Sequence, residues 1–385
     1  MKKSFNKWII PLTLVVGIIL GMVVQELRIA SQIDMQHLES LIAAYKIAKD
    51  NSIEEFEQDE LISGMMYGLA ASLEDDYAYY FSPEELTEYN DNKNGIIRGG
   101  IGVTITKAEQ GIIVTEVYPD SPAQKVGIKA GDVFLKVEDT DVTSISSDEL
   151  SELVSGENGT KVKIRVKRGE NELVFEPERA QVIKPMVTYK QMGDITYIKY
   201  SSFNGNATEK FKEALKHAQD NSAKGIIIDL RDNLGGSLSI LAETADLILP
   251  EGDVIYALDR KGNRMMERKS DANCINIPIV ILTNANTASA SEAFAGAARD
   301  YGVAKIVGTK TYGKGIMQTT YNLPNNGAFK LTVAKYYLPK GDCIHKEGIT
   351  PEYVVKLPNG LESRPYDMTD EQDTQLQKAL ELLNQ

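Results

Sequence analysis

The sequence predicts a multidomain α+β protein in which a helical N-terminal region, a small β-rich domain and a larger α/β layered domain follow one another. Three observations carry that reading. At 385 residues the chain has room for roughly two or three domains. Its texture changes at Gly95, where glycines begin to interrupt short β-type runs, and again beyond Tyr197, where continuous apolar runs alternate with helical segments. Hydrophobic residues make up 42% and charged residues 25%, the composition of a globular chain and not of a disordered or polytopic membrane one.

The elements follow in order. Lys2, Lys3 and Lys7 precede an apolar run over residues 8–24, which as a helix rises about 25 Å, close to the thickness of a bilayer core. Residues 1–31 are therefore expected to be a membrane anchor or a signal segment. The absence of a clear small-x-small cleavage site favours the anchor, and the basic flank places the N-terminus in the cytoplasm with the remaining chain outside. Cleavage would make the protein secreted. Residues 32–94 read as helical, from the spacing of Leu38, Leu41, Ile42, Tyr45 and Ile47 and of Leu61, Met65, Met66 and Leu69. Tyr77, Tyr79, Tyr80 and Phe81 read as a packing plug. Residues 95–180 hold β-type runs at 101–105, 111–114, 133–137 and 162–166, a capped helix after Ser121, and a second helix opening at Ser146 with a Glu149 capping box. In residues 181–385 the runs 225–230, 277–282 and 303–307 read as buried parallel strands, with helices near 207–219, 238–249 and 290–300.

Charge and composition exclude several functions. The sum of 42 Lys+Arg and 55 Asp+Glu is −13, so no basic field exists to bind nucleic acid. The two cysteines, Cys274 and Cys343, have no CxxC spacing, and the three histidines, His37, His217 and His345, form no HxxxH pattern. No metal and no cofactor is expected.

Chemistry in layered α/β domains gathers where strands feed helices. Two such turns stand out. In Asp229-Leu230-Arg231-Asp232-Asn233-Leu234-Gly235-Gly236, paired glycines let backbone amides approach a ligand and face an oxyanion, although a plain tight turn accounts for them too. In Asn284-Ala285-Asn286-Thr287-Ala288-Ser289-Ala290-Ser291-Glu292, small residues leave a hydroxyl open at a helix start, although Ser289 with Glu292 also fits a capping box. A serine nucleophile needs a base. His37 and His217 fall in helical patterns, so the candidates are His345 and Lys314, the latter in the glycine-flanked Thr311-Tyr312-Gly313-Lys314-Gly315. To act near neutral pH, a lysine must be desolvated from a pKa of about 10.4 to roughly 7 or 8.

The motifs Asp229-Leu230-Arg231-x-Asn233-x-Gly235-Gly236, Ser289-Ala290-Ser291-Glu292 and Gly313-Lys314-Gly315-x-x-Gln318, in this order, resemble the carboxyl-terminal processing peptidases, or tail-specific proteases. The resemblance runs from about Asp75-Asp76-Tyr77 to the end. It implies a β-β-α (ClpP/crotonase-like) protease domain with Ser289 as nucleophile, Lys314 as general base and Gln318 orienting the lysine. The oxyanion would be held by backbone amides of Gly235, Gly236 and Ala290. Relatives usually carry proline where Leu234 stands and serine where Thr287 stands; neither change touches a reacting atom. Arg98-Gly99-Gly100-Ile101-Gly102-Val103, together with Ser121-Pro122-Ala123 and Gly127-Ile128-Lys129-Ala130-Gly131-Asp132, resembles a PDZ domain. By that resemblance the loop of Gly99, Gly100, Ile101 and Gly102 receives a free C-terminal carboxylate, the edge strand from Val103 to Thr106 adds the peptide by strand addition, and Leu150, Leu153 and Val154 shape the side-chain pocket. The partners implied are peptide or protein substrates with free C-termini, and a homodimer formed through the helices of residues 33–90. Two other functions are weighed against this one. A non-catalytic PDZ scaffold or chaperone would have no need of both Ser289 and Lys314, and a crotonase-like acyl-CoA enzyme fits poorly with an extracytoplasmic PDZ domain.

Overall fold

A computed structural model of the chain describes residues 35–358 and 368–384. The expected anchor, residues 1–31, lies outside the described residues. Among the described residues no helix is long and apolar enough to cross a membrane.

The chain divides into two units, Met1–Met66 and Tyr67–Gln385. In the first, α1 (Met35–Asn51) leaves Leu38, Leu41, Ile42 and Ile47 exposed. Helix α2 (Gln58–Ala71) starts in this unit and carries Asp59 and Glu60 in its first turn, where the helix dipole favours negative charge.

The second unit opens on an aromatic cluster. Tyr67 meets Tyr79 and Tyr80 edge-on at 6.1 and 5.2 Å, and β1 (Tyr79–Phe81) buries Tyr80 completely, as a packing plug requires. Ser82 and Glu85 then close a capping box on α3 (Pro83–Lys93), whose first residue is proline, where no intrahelical N–H is lost.

The β-rich domain is built from β2 (Ile96–Gly100), β3 (Val103–Ala108), β4 (Gly111–Val117), β5 (Val133–Val137), β6 (Thr140–Asp141), β7 (Ile164–Arg168), β8 (Asn171–Phe175) and β9 (Ala180–Ile183), with α4 (Pro122–Val126) and α5 (Ser147–Val154). Strands β3-β4-β5-β7-β8 form one sheet, leaving β3 at its edge, and β2 pairs with β9. The expected strand over 101–105 starts later, at Val103. Gly102 adopts φ +80°, a conformation that closes the chain onto Ser121, where a Cβ would lie 2.4 Å from the serine Cβ.

The larger domain has a sheet in the order β10-β11-β12-β15-β16-β19, formed by β10 (Val187–Met192), β11 (Ile195–Tyr200), β12 (Gly225–Asp229), β15 (Ile279–Thr283), β16 (Ala304–Gly308) and β19 (Tyr353–Val354). From β11 onward every pairing is parallel. Alternate residues of β12 face opposite cores. Ile226 and Ile228 pack with α6 (Ala207–Asp220), α7 (Leu238–Asp246) and α8 (Ala290–Asp300), while Ile227 packs with Leu376, Ala379 and Leu382 of α9 (Thr374–Leu383). A second, antiparallel sheet joins β13 (Gly252–Leu258), β14 (Arg264–Ser270), β17 (Ile316–Asn322) and β18 (Ala328–Tyr337), and takes β1 at its edge. The sequence reading does not foresee it, because Arg264–Ser270 is rich in charge and the pairing that joins its hairpin to the rest of the sheet, β13 with β18, links residues far apart in the chain.

Candidate active site

The turns after β12 and β15 are locked together by hydrogen bonds. Thr287 Oγ1 donates to the Leu230 carbonyl at 2.9 Å, and the Ala288 N–H donates to the Asn233 carbonyl at 3.0 Å. Asn233 is fully buried; its amide nitrogen donates to the Tyr200 carbonyl at 2.7 Å and its oxygen accepts the Gly235 N–H at 2.9 Å. This clamp brings Gly235 against the Ser289 turn. A Cβ on Gly235 would lie 2.8 Å from Ser289 Cβ, 2.8 Å from Ala290 N and 2.7 Å from Ala288 O.

Ser289 itself sits at φ 59°, ψ −120°, a conformation that costs a non-glycine residue strain and turns its side chain out of the strand direction at the start of α8. The N–H groups of Ala290, the next residue, and of Gly236, which follows the glycine packed on Ser289, have no acceptor among the described residues. The Gly235 amide differs from the sequence expectation: Asn233 already occupies it, so Gly235 supplies close approach and not a free donor.

Glu292 joins Ser289 to the loop that carries Lys314. Its fully buried carboxylate accepts from the Ser289 N–H (2.8 Å), the Thr311 hydroxyl (2.5 Å), the Gly313 N–H (2.8 Å) and the Lys314 N–H (2.8 Å). The capping-box reading of Ser289 and Glu292 is thus right about one bond, but the glutamate does more than cap. Tyr336, also fully buried, donates to the Lys314 carbonyl at 2.5 Å and lies in hydrogen-bond reach of the Ser289 side chain. Burial, with the Glu292 charge beside it, pushes the Tyr336 phenol well above its usual range, so it stays a donor. Neither role was visible in the sequence. The alternation of Ala334, Tyr336 and Leu338, all buried, was the one signal available for the strand.

Lys314 is half-buried. Desolvation lowers its pKa from the usual lysine range, the Lys330 charge lowers it further, and Asp75 opposes them. Among the described residues it makes no hydrogen bond to Ser289; its Nζ lies 4.3 Å from the Tyr77 ring centroid. Gln318 likewise makes none to Lys314, and its amide donates to the Tyr77 carbonyl at 2.9 Å. His345, the other candidate base, has a lowered pKa through burial and the Lys335 and Lys346 charges, and its Nδ1 is buried without a partner.

The lysine shift has a consequence for stability. The folded pKa lies below the unfolded one, so folding is penalised in full at pH values below the folded pKa, and the penalty fades as pH rises from the folded value to the unfolded one. Lys314→Met is therefore expected to hold or raise Tm at about pH 6, with the gain shrinking near pH 10.5. Thermal melts at both pH values check this; a Tm lower than wild type at pH 6 would contradict it.

Behind the glycine turn lies a buried ionic network. Burial pushes the Asp229 carboxyl up, but Arg231 and Lys199 overcome it and hold it far below the usual range. Arg231 donates to Asp229 at 2.7 Å and to Asp373 at 2.8 Å, tying the start of α9 to the turn, and Tyr197 donates to Asp229 at 2.6 Å.

In the β-rich domain, the Gly99 N–H is taken by Asn158 Oδ1 at 2.9 Å and Gly100 lies on the β2–β9 ladder, which leaves the Ile101 and Gly102 amides without acceptors among the described residues. Val103 begins the edge strand β3, and α5 packs beside that strand. Leu150 is fully buried and Val154 nearly so, both in the domain core, whereas Leu153 is exposed. Cys274 and Cys343 are unpaired thiols.

Comparison with known proteins gives this geometry its family. Residues 194–355 match the profile of Peptidase family S41, and residues 99–177 match that of the PDZ domain. A Staphylococcus aureus (strain COL) protein described as a probable CtpA-like serine protease is 31% identical over 337 residues, covering 87% of this chain and 68% of its own length. The chain belongs to the CtpA-like serine proteases of peptidase family S41. A Staphylococcus haemolyticus protein of the same description is 31% identical over 329 residues, covering 84% of this chain and 66% of its own. Among solved structures, the photosystem II D1 C-terminal processing protease is 27% identical and covers 82% of this chain and 87% of its own, with a TM-score of 0.50. A Bacteroides fragilis structure described as a putative S41 protease shares the fold at a TM-score of 0.57 and 15% identity, covering 87% of this chain and 92% of its own. The multidomain α+β architecture, with a PDZ domain ahead of the protease domain, is that of this family of C-terminal processing serine proteases.

Proposed function

We propose that this CtpA-like protease is a membrane-anchored, extracytoplasmic endopeptidase that cleaves through an acyl-enzyme on Ser289, with Lys314 as general base. The observation that carries the proposal is the single Glu292 carboxylate, which grips the backbone N–H of both Ser289 and Lys314 and so fixes the two residues to one point. Substrate binding brings the Lys314 amine from its apo position onto the Ser289 hydroxyl, since such contacts tighten in the Michaelis complex. The neutral amine takes the hydroxyl proton as Oγ attacks the scissile carbonyl. The Gly236 and Ala290 amides receive the oxyanion, aided by the N-terminus of α8. The ammonium then protonates the departing amine, and water, deprotonated by the same lysine, releases the acyl group. The β3 edge and the Ile101 and Gly102 amides bind a substrate C-terminus by strand addition. The apolar run at residues 8–24 after Lys2, Lys3 and Lys7 supports the anchor and its orientation.

The test uses the full chain as wild type, Ser289→Ala and Lys314→Ala, with peptides ending in an apolar residue as free acid or as amide. Cleavage of the acid by wild type alone, with at least a 10³-fold loss in either variant, is expected. Equal cleavage of acid and amide would remove tail recognition, and an active Ser289→Ala would remove the nucleophile.

A further inference from the structure

Residues 75–81 precede the PDZ domain in sequence, yet they are built into the protease domain. Asp75 accepts from the Thr332 N–H and from the Thr332 hydroxyl, both at 2.9 Å, and Thr332 stands opposite Gln318 in the β17–β18 ladder. Asp75 also accepts the Tyr77 N–H at 3.1 Å. This anchors Tyr77 beside the lysine loop, where it touches that loop at three points. Its ring centroid is 4.3 Å from Lys314 Nζ, its carbonyl accepts from the Gln318 amide at 2.9 Å, and its phenol lies close to the Tyr312 side chain.

We propose that Tyr77 is a positioning residue of the serine–lysine site, holding the Lys314 amine on its ring and the Gln318 side chain on its carbonyl. The inference rests on the reading of Lys314 as the base. An aromatic face attracts an ammonium through its quadrupole and has little hold on a neutral amine. In the resting enzyme the protonated lysine is kept on the ring, at the rim of the site. Once it loses its proton the hold weakens, and the amine is free to reach Ser289. The carbonyl keeps Gln318 pointing toward the same space, so the base and the side chain that orients it share one support. Because that support lies N-terminal to the PDZ domain, the protease site is incomplete without a segment from across the domain boundary.

The test replaces the ring while keeping its bulk. Tyr77→Phe keeps the π face and the carbonyl; Tyr77→Leu keeps apolar bulk and the carbonyl but removes the π face; Tyr77→Met serves in its place if the leucine variant does not fold. The Lys314 titration is read in a Ser289→Ala background, by pH-dependent labelling of the full chain with an amine-reactive reagent and mass spectrometry of the Lys314 peptide. This readout does not require Lys314 to be the base. Tyr77→Phe is expected to titrate as the parent does, whereas in Tyr77→Leu the midpoint falls and Lys314 labels roughly fivefold faster near pH 7. With Ser289 restored, Tyr77→Phe is expected to retain kcat within about twofold and Tyr77→Leu to lose about tenfold in kcat at unchanged KM. The proposal is overturned if Tyr77→Leu labels and turns over like wild type, or if the phenylalanine and leucine variants fall together, which would assign the effect to the hydroxyl and Tyr312. If Lys314→Ala stays active while the leucine variant still shifts the Lys314 midpoint, the support by Tyr77 stands and the base assignment falls.

Discussion

Glu292→Gln is expected to lose about 10²-fold in kcat and roughly 2–6 kcal/mol in stability. The wild-type carboxylate is fully buried and accepts from four donors, two on each oxygen. Glutamine keeps one oxygen and turns the other position into a donor. If the retained oxygen faces Thr311 and Gly313, the new NH2 faces the N–H groups of Ser289 and Lys314, and two buried backbone donors are left without partners. Flipping the amide transfers the loss to Gly313 and Thr311. The Thr311 hydroxyl, which already accepts the Ile349 N–H at 2.7 Å, can accept from the new NH2 with its second lone pair, but it then loses the acceptor for its own proton and the Gly313 N–H stays unpaired. Either orientation loosens the nucleophile turn from the lysine loop, so rate and stability fall together. Chemical denaturation and steady-state kinetics on the same preparation check this. Glu292→Asp, which keeps the charge but withdraws it by one methylene, is expected to fall between the two. A glutamine variant with wild-type kcat would remove Glu292 from the account.

Gly235→Ala is expected to cost about 10²–10³-fold in kcat, as the loss of an oxyanion donor does. At φ +98° the residue is in a conformation that L side chains rarely adopt, and the added methyl meets Ala288 O, Ser289 Cβ and Ala290 N, all at under 3 Å. Two of those atoms are backbone and the third is the Cβ of Ser289, so the strain is relieved only by moving Ser289 and the Ala290 amide away from the glycine turn. The damage is confined to the turn, and a Tm fall much smaller than that of Glu292→Gln is expected alongside the loss of rate. Activity within about threefold of wild type would contradict the placement of the glycine turn against Ser289.

Much of the fold was legible because its signals are local. The parallel strands around Gly225–Asp229 and Ile279–Thr283 are continuous apolar runs with both faces buried, and α8 begins at the small-residue turn that pointed to Ser289. What the sequence hid depends on contacts between distant segments. Tyr77 and Gln318 are 241 residues apart and meet only because β1 joins the edge of the second sheet. Glu292 was legible as a capping residue through its bond to the Ser289 amide, but its other donors come from residues 311–314, which no local pattern links to α8. The Gly235 amide looked like a free donor because nothing in the sequence says that the Asn233 side chain folds back onto it. Leu150 and Val154 show the limit of periodicity: a helical apolar stripe marks a core face and a pocket wall alike, and here both residues are in the core.

The central claim is that Ser289 carries the acyl group and that Lys314 enables its formation. Rapid quenching of wild-type enzyme with a free-acid peptide, followed by digestion and mass spectrometry, tests it most directly. The acyl fragment is predicted on the peptide containing Ser289 in wild type, at far lower occupancy in Lys314→Ala and not at all in Ser289→Ala. Acylation of another residue, or full acylation of Ser289 in the Lys314→Ala variant, would contradict the account.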